Sequence, residues 1–451
     1  MTGSPPPETK PAPDRRDTGL LRVVGLLGLS AAIVNVTIGG GIFRLPSAVY
    51  AQLGGGSPAA YVICAVMMGL VVTCFAEAGS RVPLTGGLYA YIEVAFGPLI
   101  GFVSGFLLWA GMSAALSAVA VFFGDAVGAL FPSLSGQFAH GAVVVSAIAL
   151  LAGLNLFGVG NAARFNTVMT VTKLMPLVLV IVFGLGSLSA ERIGFRMPSP
   201  APLARGSVFL IFAFLGVESA LVPSGEVRDA ARTVPRAIAI ALSVVVVVYM
   251  LVQLVTQVTL GGDLASSKTP VADAAWSLMG GGGRTIILAG TAISMFGYVS
   301  GMTLAVPRML FAFGRDGFGV RQLAAVHERY RTPHVAIAVQ ALINVGLATT
   351  GTFEQLAIAA NGSVLLVYAV CAIAVLVLRK RNVRTETAPF VAPLGGAVPI
   401  LAFASILWLL LSLTLSEWAA LGIVTGVAFA IFAATRQTRQ TRQTRMERAT
   451  R

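Results

Sequence analysis

AAIVNVTIGGGIFRLPS, Ala31 to Ser47, is the stretch on which the fold turns. Its flanks are apolar enough for lipid, yet three consecutive glycines at 39–41 each weaken a helix by about 1 kcal/mol relative to alanine. Pro46 removes a further amide donor. A second stretch, FAFLGVESALVPS from Phe212 to Ser224, is punctuated in the same way. With Gly39 set on Gly216, Pro46 falls on Pro223 and Ser47 on Ser224, a constant offset of 177 residues. Matched interruptions in the two halves of an apolar chain are the pattern of inverted-repeat transporters, whose solute site lies at the break. Non-helical backbone at membrane depth is tolerated only where it lines a cavity or is buried in protein. The competing reading, glycines that merely let helices pack closely, suits one cluster alone. It suits two clusters in register less well, since one of them is followed by the mid-membrane carboxylate Glu218.

Outward from these breaks, the 451 residues are 56% hydrophobic and only 11% charged, against about 25% charged in soluble domains. A bilayer core takes roughly 20 apolar residues per helix. Runs near 22–50, 59–80, 97–123, 141–158, 166–187, 206–225, 236–260, 284–311, 333–350, 354–378, 392–413 and 416–435 predict twelve transmembrane helices in an all-α membrane protein. The expected organisation is a tail at 1–19, a transport core at 20–378, a linker with the last two spans at 379–435, and a basic tail at 436–451. Both tails are expected to be disordered. The first apolar run continues past its glycines and reads as a span, not as a cleaved leader.

The charge of +13 is unevenly placed. Of 31 Lys and Arg, 24 fall on the side of the tails and five (Arg192, Arg196, Arg205, Lys268, Arg284) on the other, with Arg44 and Lys173 inside spans. The positive-inside rule then predicts cytoplasmic termini in an inner membrane. The basic excess is topological, and no nucleic-acid partner is expected; the repeated Thr-Arg-Gln of the C-terminal tail suits weak attraction to anionic lipid headgroups. Cys64, Cys74 and Cys371 lie in apolar runs and read as small buried residues, and His140, His327 and His334 form no ligand spacing. No metal, cofactor or obligate protein partner is called for.

Several segments resemble the amino acid–polyamine–organocation permeases. IGGGIF at 38–43 resembles their first-span signature. AEAGSRVPLTGGLYAY at 76–91, followed by Phe96 and Gly97, is similar to their second-to-third-span connection. FAFLGVE at 212–218, VRDAARTVPRAI at 227–238, the segment from Arg308 to Gly317 and Arg331-Thr332-Pro333 resemble later family segments in the same order. The resemblance covers about residues 20–384. It implies a LeuT-like fold of ten core helices in a 5+5 inverted repeat, spans 1 and 6 interrupted, plus two peripheral helices, with alternating access to a central amino-acid site. One departure bears on the substrate. Trp109 to Ser117 is small and mostly apolar, and Met302 stands where arginine exchangers of the family tend to carry a large aromatic. Neutral amino acids are therefore expected, with an arginine or polyamine antiporter as the alternative.

An unwound first span exposes amides at the positive end of its second half, where anions are favoured. The substrate carboxylate is assigned to the amides of Gly40, Gly41 and Ile42 beside Gly39. The ammonium is assigned to carbonyls near Phe212, Ala213, Leu215 and Gly216, with Ile38 adding another. Phe212 reads either as a lid over the substrate, as the resemblance implies, or as packing; Met302 reads as pocket wall. Glu218 is linked to proton sensing in similar exchangers; the alternative is a structural carboxyl, protonated or paired with Arg44. Lys173 matches family members with a lysine where sodium-coupled relatives bind a cation, which argues for sodium independence and leaves proton symport and exchange open; its alternative is snorkelling to the interface. Glu77 and Arg81 flank the end of span 2, as a helix end or part of an inner gate. An intramembrane enzyme would need a catalytic set within the spans, and none is present. A channel would not need matched breaks. No GxxxxGK[ST] run occurs, so gradients are the expected energy source.

Overall fold

The computed structural model describes residues 25–82, 87–157, 162–218, 227, 230–318, 320–330, 332–384 and 388–449. The N-terminal tail, Pro223, Ser224 and Arg331 lie outside the described residues. Among those described, the regular elements are helical: α1 Leu26–Thr37, α2 Gly41–Leu53, α3 Ser57–Arg81, α4 Leu88–Phe96, α5 Pro98–Leu130, α6 Gln137–Leu156, α7 Ala162–Gly184, the single turn α8 Ala190–Ile193, α9 Pro200–Ile211, α10 Ala230–Leu260, α11 Pro270–Asp316, α12 His334–Thr350, α13 Phe353–Lys380, α14 Ala397–Leu410 and α15 Leu415–Ala449. Among the described residues, seven helical stretches are long and apolar enough to cross a membrane, and five further apolar helices are shorter. Large apolar side chains such as Val62, Val66, Leu150, Val182, Ile400 and Ile423 face outward. In water such a surface would aggregate; in lipid it is the solvated face. The chain is a multi-pass membrane protein.

The first expected interruption is present. α1 ends as Ile38 leaves helical geometry (ψ 76°), and α2 begins at Gly41. The break therefore covers Ile38 to Gly40, with Gly41 as the first residue of the second half. The second interruption follows α9, as a 3-10 turn over Phe212–Phe214, an extended Leu215 (ψ 147°) and Gly216 at φ 110°.

At the centre, α13 packs along α5, α3 and α14, and α11 packs along α5, α7 and α12. Thr352 and Gln355 start α13 with a reciprocal capping box, which satisfies two otherwise orphaned amides. α11 begins well before the expected span at 284, because Pro270 starts a helix that bends at Gly280 (φ 69°) and absorbs Arg284. α15 runs past its apolar stretch and is helical to Ala449. The Thr-Arg-Gln repeat contains neither glycine nor proline, and extending an existing helix avoids the unfavourable nucleation step.

Candidate functional site

The two interruptions meet. A Cβ on Gly41 would lie 2.9 Å from Ala213 Cα, and one on Gly216 would lie 2.7 Å from Val36 Cγ1 and 3.0 Å from its carbonyl oxygen. These distances leave no room for a side chain, so the chain flanking the first break on either side meets the second break. Gly216 has a second constraint, since its positive φ is one that side-chain-bearing residues rarely adopt. At the start of α2, Phe43 N–H returns to Gly40 O at 3.2 Å. The amides of Gly40, Gly41 and Ile42 remain as the orphan donors of a helix start.

Lys173 is fully buried in α7, with its ammonium donating to the carbonyls of Asn35 and Ile38, the latter at 2.8 Å. Its charge sits at the C-terminus of α1, where the helix dipole favours a cation. The side chain is turned into the break and buried there. Tyr249 of α10 approaches from another side, its hydroxyl 2.8 Å from both Thr37 O and Ala213 O. One hydrogen faces two acceptors, one in each interrupted segment. Glu218 Oε2 accepts from Gly216 N–H at 3.0 Å and from Tyr368 Oη–H of α13 at 2.5 Å.

Arg44 does not pair with Glu218. It lies nearly a turn into α2, beyond the break, and reaches Glu354 at 3.1 Å and the Lys268 carbonyl at 2.6 Å. Glu218 instead finds its partners on its own backbone and on α13. Carbonyls assigned to a ligand also carry internal bonds. Ile38 O accepts from Lys173, Ala213 O from Tyr249, and Phe212 O from Leu215 N–H at 3.3 Å; each oxygen keeps a second lone pair.

The walls come from α11 and α5. Tyr298 and Met295 of α11 lie against Gly39 and Gly40, with Val119 and Phe122 of α5 beside Gly40. Met302 is buried on the same face of α11, one turn beyond Tyr298. The stretch from Trp109 to Ser117 faces other helices: Trp109 Nε1 donates to Gln340 at 2.7 Å, Gln340 donates to Ser113 at 2.9 Å, Ser117 reaches Asn344 O, and Gly111 packs on Val364 and Ala360. Phe212 is buried edge-to-face on Phe353 with ring centroids 5.6 Å apart, and Phe353 also meets Phe122 at 5.6 Å. Tyr249, Tyr298, Tyr368 and Phe353 escaped the sequence reading; the one signal was a lone tyrosine in each of several valine- and leucine-rich runs.

Away from the junction, Glu77 is wholly buried at the end of α3. Its Oε1 accepts from Arg81 Nε at 3.0 Å, Arg81 Nη2 at 2.9 Å and Arg379 Nε at 2.7 Å. Its Oε2 accepts from Arg379 Nη2 at 2.5 Å and Ala392 N–H at 2.8 Å.

Interrupted helices pressed together inside an apolar bundle, with backbone donors and acceptors gathered at the contact, define a membrane solute carrier. The chain belongs to the amino acid permeases: the family described as "Amino acid permease" matches residues 24–441. It is similar to the serine/threonine exchanger SteT of Bacillus subtilis, 28% identical over 422 residues that cover 90% of this chain and 94% of that one. An uncharacterized transporter of Mycobacterium tuberculosis is 30% identical over 444 residues, 96% and 94% of the two chains. The branched-chain amino acid permease BcaP of Bacillus subtilis is 26% identical over 423 residues, 88% and 89%.

Proposed function

We propose that the chain carries neutral amino acids by alternating access, without sodium, from an inner membrane in which both termini are cytoplasmic. The observation behind this reading is the junction of the two breaks, where charged side chains already have partners. In it the substrate carboxylate meets the amides of Gly40, Gly41 and Ile42, and its ammonium takes the remaining lone pairs of the Ile38, Phe212, Ala213 and Leu215 carbonyls. The substrate side chain faces Met295, Tyr298, Val119 and Phe122, with Met302 further along the wall and Phe212 as the lid against Phe353. A guanidinium there would find Glu218 already held by Tyr368 and Gly216. The exchanger of serine and threonine and the branched-chain permease among its relatives both carry names of neutral substrates.

Lys173 supplies the positive charge that would otherwise come from a bound cation at the end of α1. A sodium ion a few ångströms from that ammonium would be repelled by about 4 kcal/mol at an effective dielectric of 20. Uptake into proteoliposomes is expected to be equal in sodium and potassium buffers. Serine, alanine and leucine are expected to compete better than arginine, lysine or putrescine. A sodium requirement overturns the role of Lys173. Saturable arginine uptake that ignores excess neutral amino acids overturns the substrate class and favours the antiporter. The same vesicles separate two coupling modes: an inward proton gradient drives accumulation in a symporter, with Glu218 or Lys173 exchanging the proton, whereas internal amino acid drives it in an exchanger.

A further inference from the structure

Two charged ties hold opposite ends of the bundle, and they differ in kind. At one end Arg44 of α2 meets Glu354 of α13 on side chains 23% and 47% exposed, open to water and to screening by salt. At the other, the Glu77 carboxylate is fully enclosed and accepts five hydrogen bonds from three stretches of chain: its own helix, the end of α13 and the connection into α14. Arg81 extends the cluster to Val383 O at 3.2 Å, and Ser80 reaches Phe390 O at 3.4 Å. Two guanidiniums on one carboxylate leave a net positive charge, so removing the carboxylate leaves two cations facing one another. Breaking a buried pair by deleting one partner is far more disruptive than losing an exposed one.

We propose that Glu77 is a positioning residue for transport: its cluster locks α3, α13 and the connection around Val383, Phe390 and Ala392 together, biasing the empty carrier against the state open at that end. Weakening the cluster shifts the population toward that state without altering any group at the junction of the breaks, as a bias on a two-state equilibrium requires. The inference rests on the carrier reading, but its test needs no substrate.

The chain's own cysteines report on the lock. Cys74 lies one turn before Glu77 in the same helix and is buried. Cys64, also buried, lies thirteen residues before Glu77 in the same helix, against Ser207 O. At 1.5 Å per residue that is about 20 Å away. The full chain in nanodiscs is treated with a charged, membrane-impermeant maleimide, and the labelled cysteine is identified by mass spectrometry. In Glu77→Gln, Cys74 is expected to label at least about tenfold faster than in the wild type, with Cys64 unchanged. Arg379→Lys, which keeps the charge but gives up the fork, is expected to fall between the two, and it serves alone if Glu77→Gln does not fold. Cys74 labelling that is unchanged in the variant tested overturns the proposal, as does Cys64 accelerating in step with Cys74, which marks general loosening. A wrong substrate assignment changes neither result.

Discussion

An ammonium has three hydrogens to give, and Lys173 places two of them on the carbonyls where α1 stops. It thereby fastens α7 to an interrupted segment that would otherwise carry unsatisfied acceptors in an apolar interior. The glycines act in the opposite sense, by absence. Gly41→Leu would drive a side chain into Ala213, whose Cα lies 2.9 Å from the Cβ position. Overpacking of this kind costs about 1–3 kcal/mol, too little to unfold the bundle and enough to part the two breaks. The variant is expected to purify as a folded protein with a lowered Tm and to lose substrate binding, measured as the thermal shift on adding amino acid. A normal ligand-induced shift would refute the carboxylate assignment. That these positions call for a reason was legible in the sequence, because a glycine triplet, a lysine and a glutamate are each costly in a membrane helix. The tyrosines were not legible. Tyr249 or Tyr368 in a valine-rich helix is an ordinary packing residue until the fold shows which carbonyl or carboxylate faces its hydroxyl. The partner of Arg44 was hidden for the same cause: its charge was visible, Glu354 on α13 beside it was not.

Among the elements, α13 reaches several parts of the site. Phe353 backs Phe212, and Glu354 holds Arg44. Asn361 donates to Val208 O of α9 at 2.7 Å, and Tyr368 donates to Glu218 beyond the break. Arg379 closes on Glu77. One continuous helix thus pins the interrupted segment both before and after its bend. The ties differ in worth: the exposed Arg44–Glu354 pair contributes about 0–1 kcal/mol, and a buried hydrogen bond about 1 kcal/mol plus the cost of an acceptor left bare. Asn361→Ala is therefore expected to lower Tm by more than Arg44→Ala, and only the Arg44 effect should shrink in high salt. Equal shifts with equal salt dependence would contradict this ranking. Hydrophobic run lengths placed α13 almost to the residue, whereas α11 and α15 outran their apolar stretches. Helix ends follow proline, glycine and nucleation, which hydropathy does not register.

For the molecule as a whole, the uneven placement of 31 basic residues predicts an orientation. A fluorescent protein that matures only in the cytoplasm, fused after Arg451, is expected to fluoresce, and alkaline phosphatase fused there to be inactive. Active phosphatase would invert the topology. The last helix bears on how such a fusion behaves. Phe432 stacks with Phe318, and Phe318 with Phe102 at 4.3 Å, so α15 is docked on α5 and the end of α11 before it continues to Ala449 without a break. The fourteen residues from 436 to 449 make a rod about 21 Å long. A helical partner spliced on in register would be carried as a stiff mast and not on a tether. For a carrier with little mass outside the bilayer, that mast is a ready fiducial for aligning single-particle images.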